Sequence, residues 1–315
     1  MSASMTTNIT LSPLAAALPR ARADAVTLYR GISDASAAAA IDAEHFVVAD
    51  DERNQLKVYR RGRPEAVEVI DLADFLGTKE DKESDLEGAA TVGDRIYWIS
   101  SHGRSSKGEV QQRRYRFFAT GAGKNGAALE PLGRPYAGML DDLAAAPQLQ
   151  AYGIAEAASR MPEADGAFNI EGLAATPWGE LLIGLRNPAP RGKALLVHLT
   201  NPAKVIEGKQ AQFGAVIELD LGGRAIRSIE LVGLAYMIIA GPAGDEGDFA
   251  LYRWSGLADE APLELSHLNF DGQRPEALFA IPGTRQVQIL SDDGGKHRKA
   301  LPAHEQTFRS VVVHL

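Results

Sequence analysis

The chain of 315 residues contains no cysteine. Disulfides, thiolate metal ligation and cysteine nucleophiles are therefore excluded. Positive charge is also in short supply. Lys and Arg number 33 against 41 Asp and Glu, a formal net charge of −8. A chain of that sign repels nucleic acid and anionic membrane surfaces, so neither is an expected partner. No apolar run approaches the roughly 18 residues that a membrane-spanning helix needs. Nor is there a GxSxG elbow, an HExxH helix or a phosphate-binding Gly loop, which removes three common catalytic signatures.

The N-terminus, "MSASMTTNITLSPLAAALPRARADA", has only a short apolar run, bracketed by Pro13 and Pro19, with no positive charge before it. It reads as a tail over residues 1–24 rather than a signal peptide. That reading implies a cytoplasmic protein, with a periplasmic one as the alternative.

Apolar residues make up 45% of the chain and glycines number 31. These suit a large core of short strands and many turns. Self-similarity sets the pattern. "SDLEGAATVGDRIYWISSHG", "FNIEGLAATPWGELLIGLRN" and "QRPEALFAIPGTRQVQILSDDG" share one plan: a carboxylate (Glu87, Glu171, Glu276), a short strand, a turn and a second strand. Two weaker copies carry Ser36 and Arg227 in the marker position. Marker spacings are 51, 84, 56 and 49 residues. Third and fourth strands follow in most copies, for example "QLKVYR" with "AVEVIDL", and "ALLVHL" with "GAVIELDL".

Repeats of about four strands at this period predict an all-β protein, a β-propeller. Five blades are expected, with six as the alternative, in a single domain over residues 25–315. The last repeat is a strand short, and "VTLYR" stands before the first marker. An N-terminal strand is therefore expected to close the ring against "SVVVHL", leaving no open sheet edge. The long spacing holds an Ala-rich insertion at about 137–165, divided by Pro147, which predicts two short helices. It is either a surface excursion or a lid.

In a propeller the innermost strands line the axis, so the five markers should meet at the mouth of a water-filled funnel. A ring of Glu87, Glu171, Glu276, Arg227 and Ser36 has two readings. One is a structural network in which Arg227 offsets the carboxylates. The other is a site. As a metal site, Glu87, Glu171 and Glu276 would suit calcium, a hard cation that prefers oxygen ligands. As a binding site for a small polar or anionic ligand, the ring would be joined by Arg104, Arg186 and Arg274. His102, in a predicted turn at the mouth, is the candidate general base, with Glu171 as the second candidate catalytic residue.

The segments "DLEGAATVGDRIYWISSHGR", "FNIEGLAATPWGELLIGLRNP", "IRSIEL" with "YMIIAGPAG", and "RPEALFAIPG" with "QILSDDG" resemble the bacterial domain-of-unknown-function family 3616. The "E-G-A/L-A" strand start also resembles the esterase-like phytases, likewise propeller-like. The resemblance spans most of residues 31–315. The first family implies the fold and no activity. The second implies ester or phosphate hydrolysis with calcium, although Ser36 and Arg227 depart from an all-acidic ring. Two functions are therefore expected in competition. One is a hydrolase of a small ester, lactone or phosphoester at the funnel. The other is a non-catalytic ligand-binding or protein-interaction propeller. Oligomeric state is left open.

Overall fold

The computed structural model describes residues 21–50, 52–79, 82–123, 128–161, 164, 166–244, 247–270, 272–295 and 300–315. It is a five-bladed β-propeller. Blade 1 is formed by β3 (Ala38–Ala40), β4 (His45–Asp50), β5 (Gln55–Arg60) and β6 (Ala66–Asp71), after β1 (Arg22–Ala23) and β2 (Thr27–Arg30). Blade 2 comprises β7 (Leu86–Val92), β8 (Arg95–Ser100), β9 (Phe117–Ala122) and β10 (Leu129–Tyr136). Blade 3 comprises β11 (Asn169–Ala175), β12 (Leu181–Asn187), β13 (Ala194–Leu199) and β14 (Phe213–Leu219). Blade 4 comprises β15 (Ala225–Val232), β16 (Ala235–Gly241), β17 (Ala250–Trp254) and β18 (Leu263–Glu264). Blade 5 comprises β19 (Pro275–Ala280), β20 (Gln286–Ser291) and β21 (Thr307–His314).

The inner strands form the ring. β3 packs on β7, β7 on β11, β11 on β15, β15 on β19, and β19 returns to β3. Closure is the expected one: β2 supplies the outer strand of blade 5, with Thr27 opposite Ser310 and Arg30 opposite Thr307. β1 continues the pairing, Arg22 opposite His314, so ladder pairing begins within the segment expected as tail. Residues 1–20 lie outside the described residues.

Closure rests on aromatic packing. Tyr29 of β2 stacks on Phe308 at 5.3 Å between ring centres and meets Phe46 of blade 1 edge-on at 5.1 Å. The Phe46 ring stacks in turn on Phe279 at 5.5 Å. Rings in such contacts bury large apolar area and add geometric preference. Lys57 Nζ donates to Gly31 O at 2.6 Å and pairs with Asp50 Oδ2 at 2.7 Å, tying the incoming chain to blade 1.

The insertion folds as α2 (Met139–Ala145), a 3-10 stretch at Pro147–Tyr152 and α3 (Ile154–Ser159), following α1 (Ala73–Leu76) of blade 1. Met139, Leu143, Leu149 and Ile154 are buried in the core shared by blades 2 and 3. Gln148 Nε2 donates to Phe213 O at 2.6 Å on the outer strand of blade 3. The insertion is a buttress on the flank. Of its described residues, none lines the axial funnel.

Candidate functional site: the axial funnel

The charge at the head of four of the inner strands has a local cause in the ladder. Ile170 pairs with Leu185 and Gly172 with Gly184, so Glu171 has no partner across the strand. The same skip falls on Glu87 between Leu86 and Gly88, on Arg227 between Ile226 and Ser228, and on Glu276 between Pro275 and Ala277. Each of these markers is the extra residue of a β-bulge. A bulge bends the strand and re-aims one side chain, here into the axis. The glycine that follows in "E-G" has its own reason. A Cβ on Gly172 would come 2.8 Å from Ile226 Cγ2 of the next blade and 3.1 Å from Gly184 Cα. On Gly88 it would come 2.9 Å from Ile99 Cγ2. Inner strands converge too closely for a side chain there.

The bulges open on an axial cavity of about 260 Å³. All five markers line it, together with Arg186 and Arg274. Five further charged residues complete the wall: Asp34, Glu83, Asp85, Arg114 and Asp292. The lining therefore holds seven carboxyls against four guanidiniums.

Arg227 organises one half. Its Nε lies 3.0 Å from Glu171 Oε2, its Nη2 pairs with Glu276, and its guanidinium lies 5.6 Å from the centre of the Phe249 ring. Arg186 Nη1 donates to Glu171 Oε1 at 2.9 Å, while its Nε and Nη2 donate to Ala243 O at 2.9 Å and Gly244 O at 2.7 Å. Burial raises the Glu171 carboxyl from its ordinary value, against the pull of Arg227 and Arg186. Arg227 is held protonated above its ordinary value by Glu171 and Glu276, which outweigh burial. On the blade 2 side, Arg114 pairs with Glu83 and with Asp85 Oδ2 at 3.0 Å.

The opposite wall, between blades 5 and 1, is different. Asp34 is buried and hydrogen-bonded to Asp292. Burial, with Glu276 and Asp34 adding repulsion, pushes the Asp292 carboxyl up to about 8. It stays protonated through neutral pH.

Two expected residues are not in the funnel. His102 is 1% exposed, stacked on Tyr115 at 5.6 Å, with Nδ1 2.7 Å from Ser100 O. Burial depresses it to about 4, and the exposed turn expected for it is not what the structure shows. Arg104 serves the flank: its Nε donates to Ala158 O of α3 at 2.8 Å and its Nη1 to Gly108 O at 2.9 Å. Of the wall residues that pattern reading left out, Asp34 had a signal: it stands two places before Ser36, as Asp85 does before Glu87 and Arg274 before Glu276, so the polar pair at alternate positions was itself part of the repeat.

The three ring carboxylates do not fit calcium. The Arg227 guanidinium stands between Glu171 and Glu276, where the cation would have to be. Among the described residues no group of three or more His, Asp or Glu is placed to hold a metal.

The chain matches the family described as "Protein of unknown function (DUF3616)" over residues 34–116 and 124–288. It belongs to that family. No curated protein sequence matches this DUF3616 chain. Among solved structures it is similar to the glutaminyl cyclase of Myxococcus xanthus, at 11% identity and a TM-score of 0.51, covering 93% of this chain and 96% of that one. It is also similar to the PQQ-bound aldose sugar dehydrogenase of Streptomyces coelicolor, at 12% identity and a TM-score of 0.46, covering 92% and 98%. At 11% identity the likeness to the cyclase shows the fold alone. Among the described residues of this DUF3616 chain, no helix is long and apolar enough to cross a membrane.

Proposed function

We propose that the funnel is a hydrolytic site for a small, neutral, hydroxyl-rich ester or lactone. The observation that supports this most is the make-up of the wall: seven carboxyls, four guanidiniums and Ser36, with one carboxyl kept protonated at neutral pH. A cavity holding proton donors, ionised acceptors and fixed cations can move protons and steady developing charge. A purely charged wall offers nothing to a long acyl chain and many partners to hydroxyls.

Charge selects among the three substrate classes. Acidic groups outnumber guanidiniums, and Glu171 with Glu276 already engages Arg227. A phosphoester dianion would be repelled, so the neutral ester or lactone is preferred. In this reading Glu171 and Glu276 hold Arg227 in place and do not react. His102 takes no part, because it does not reach the cavity. Arg274, whose carbonyl accepts from Asp292 N at 2.8 Å, also lines the cavity.

The second reading is a funnel that binds a polar ligand without turning it over. The ion pairs about Arg227 favour it, since they fill part of the mouth with a closed network. An apolar groove of about 550 Å³, lined by Val232, Leu234, Leu263, Leu265 and Leu315 at the far end of blades 4 and 5, also suits an interaction protein.

A pH-stat assay on small sugar-type lactones and short-chain esters, with p-nitrophenyl phosphate alongside, separates the readings. The hydrolase reading expects ring opening or ester cleavage and no phosphate release. Calorimetric binding of the lactones with no turnover would leave the second reading standing instead.

A further inference from the structure

The wall between blades 5 and 1 brings two carboxyls into direct contact. Asp34 precedes β3 and Asp292 follows β20; both line the cavity and are hydrogen-bonded to each other. The contact is held by backbone from both blades. Asp293 N donates to Ser33 O at 3.1 Å, and Gly294 N donates to Asp292 Oδ1 at 2.7 Å. Gly294 also leaves the room that the pair needs. A Cβ there would overlap Asp34 Oδ1 and stand 2.8 Å from Asp292 Oδ1. Two carboxyls in such contact repel each other when both are charged, which favours a single proton on the pair. Among the described residues, the charged groups that share this wall are Glu276, itself paired with Arg227, and Arg274, with the Asp293–Arg309 ion pair beside them.

We propose that Asp34 and Asp292 share one proton and are the proton-transfer pair of the funnel. The assignment rests on the hydrolase reading above. The ionised member takes a proton from a water whose oxygen bonds to the acyl carbon. The protonated member gives its proton to the alkoxide oxygen as the acyl C–O bond breaks. One water is consumed, a carboxylic acid and an alcohol (for a lactone, one hydroxy acid) are formed, and the pair again holds one proton.

Two measurements on the full chain test this. Infrared titration follows the carbonyl stretch of a protonated carboxyl. Wild type should retain such a band above pH 7 and lose it near pH 8; Asp292→Asn should lack it. Asp34→Asn, which removes the repelling charge, should move it to lower pH. Lactone turnover is the second readout. Each Asn variant should lose about 100-fold or more in kcat, as removal of a general acid or base does. The double variant should be no worse than either single one, with KM little changed. Gly294→Ala, which leaves both carboxyls in the chain but pushes them apart, should show both effects.

A wild type without a carboxyl titrating above pH 7 would overturn the shared proton. Full turnover in both Asn variants would overturn the catalytic role. A titrating pair in a protein that turns over no lactone or ester would remove the hydrolase reading, and the pair's role with it, while the shared proton stands.

Discussion

Arg227 Nε lies 3.0 Å from Glu171 Oε2, across the boundary between blades 4 and 3. Both side chains are buried, and the pair belongs to a chain of contacts that runs from Arg186 through Glu171 and Arg227 to Glu276. Breaking a buried pair leaves one charge without compensation, which typically costs about 3–5 kcal/mol. Glu171→Gln is therefore expected to lower the melting temperature clearly at neutral pH. Thermal unfolding of the two proteins measures it. An unchanged or raised melting temperature would mean that the ring is dominated by repulsion among its carboxylates.

The protonated Asp292 makes stability depend on pH in an unusual direction. Folded, its carboxyl holds a proton up to about 8; its ordinary value is 3.8. Between those values the folded state binds a proton that the unfolded chain has released. Stability from this group is full below about 4 and falls as pH rises toward 8, by at most about 1.4 kcal/mol per pH unit. The difference in unfolding free energy between wild type and Asp292→Asn should thus shift toward the variant as pH rises. Denaturant unfolding at pH 6, 7 and 8 reads it, and a constant difference would contradict the burial of this carboxyl.

His102 contributes with the opposite sign. Its imidazole is depressed from 6.5 to about 4. As pH falls through that window the unfolded chain gains a proton that the folded state refuses, so stability is lost toward acid. His102→Ala should remove this acid sensitivity. It should also cost about 2 kcal/mol at pH 8 through the lost stack on Tyr115. Turnover at the funnel should be unaffected, and a large fall in kcat without a fall in stability would return His102 to the reaction.

Ring closure is testable at Tyr29, which touches Phe46, Tyr59 and Phe308 at once. Tyr29→Ala is expected to destabilise by about 3–5 kcal/mol, the range for a large aromatic removed from a core. Deletion of residues 1–30 removes β1 and β2 and exposes the edge of β21. The truncated chain should unfold with lost cooperativity, followed by circular dichroism and calorimetry. A single sharp transition at the original temperature would show that three strands complete blade 5 unaided.

Much of this architecture was legible in the sequence because the repeat is physical. Four of the five blades carry a bulge at the axis, and the bulge residue must be polar where it meets water. Glu87, Glu171 and Glu276 therefore stand out even without an alignment, and Arg227 falls in register with them. The closing strand was legible for the same reason, since blade 5 lacks a fourth strand of its own. What escaped was anything set by packing between distant segments. His102 looks like a loop histidine locally, yet Tyr115 and the backbone of Ser100 enclose it. Asp34 and Asp292 are 258 residues apart in sequence and meet only because the ring closes. The insertion's Ala-rich pattern gave its helices, but only the core shared by blades 2 and 3 shows that they brace a flank.

The central claim is that the funnel opens neutral lactones or small esters using a proton held on its own wall. The most direct measurement is the rate of lactone opening by wild type against pH, corrected for the uncatalysed rate. The account predicts catalysed opening that declines above about pH 8, as Asp292 loses the shared proton. Opening no faster than the uncatalysed reaction, or a catalysed rate that keeps rising through pH 9 with hydroxide, would contradict it.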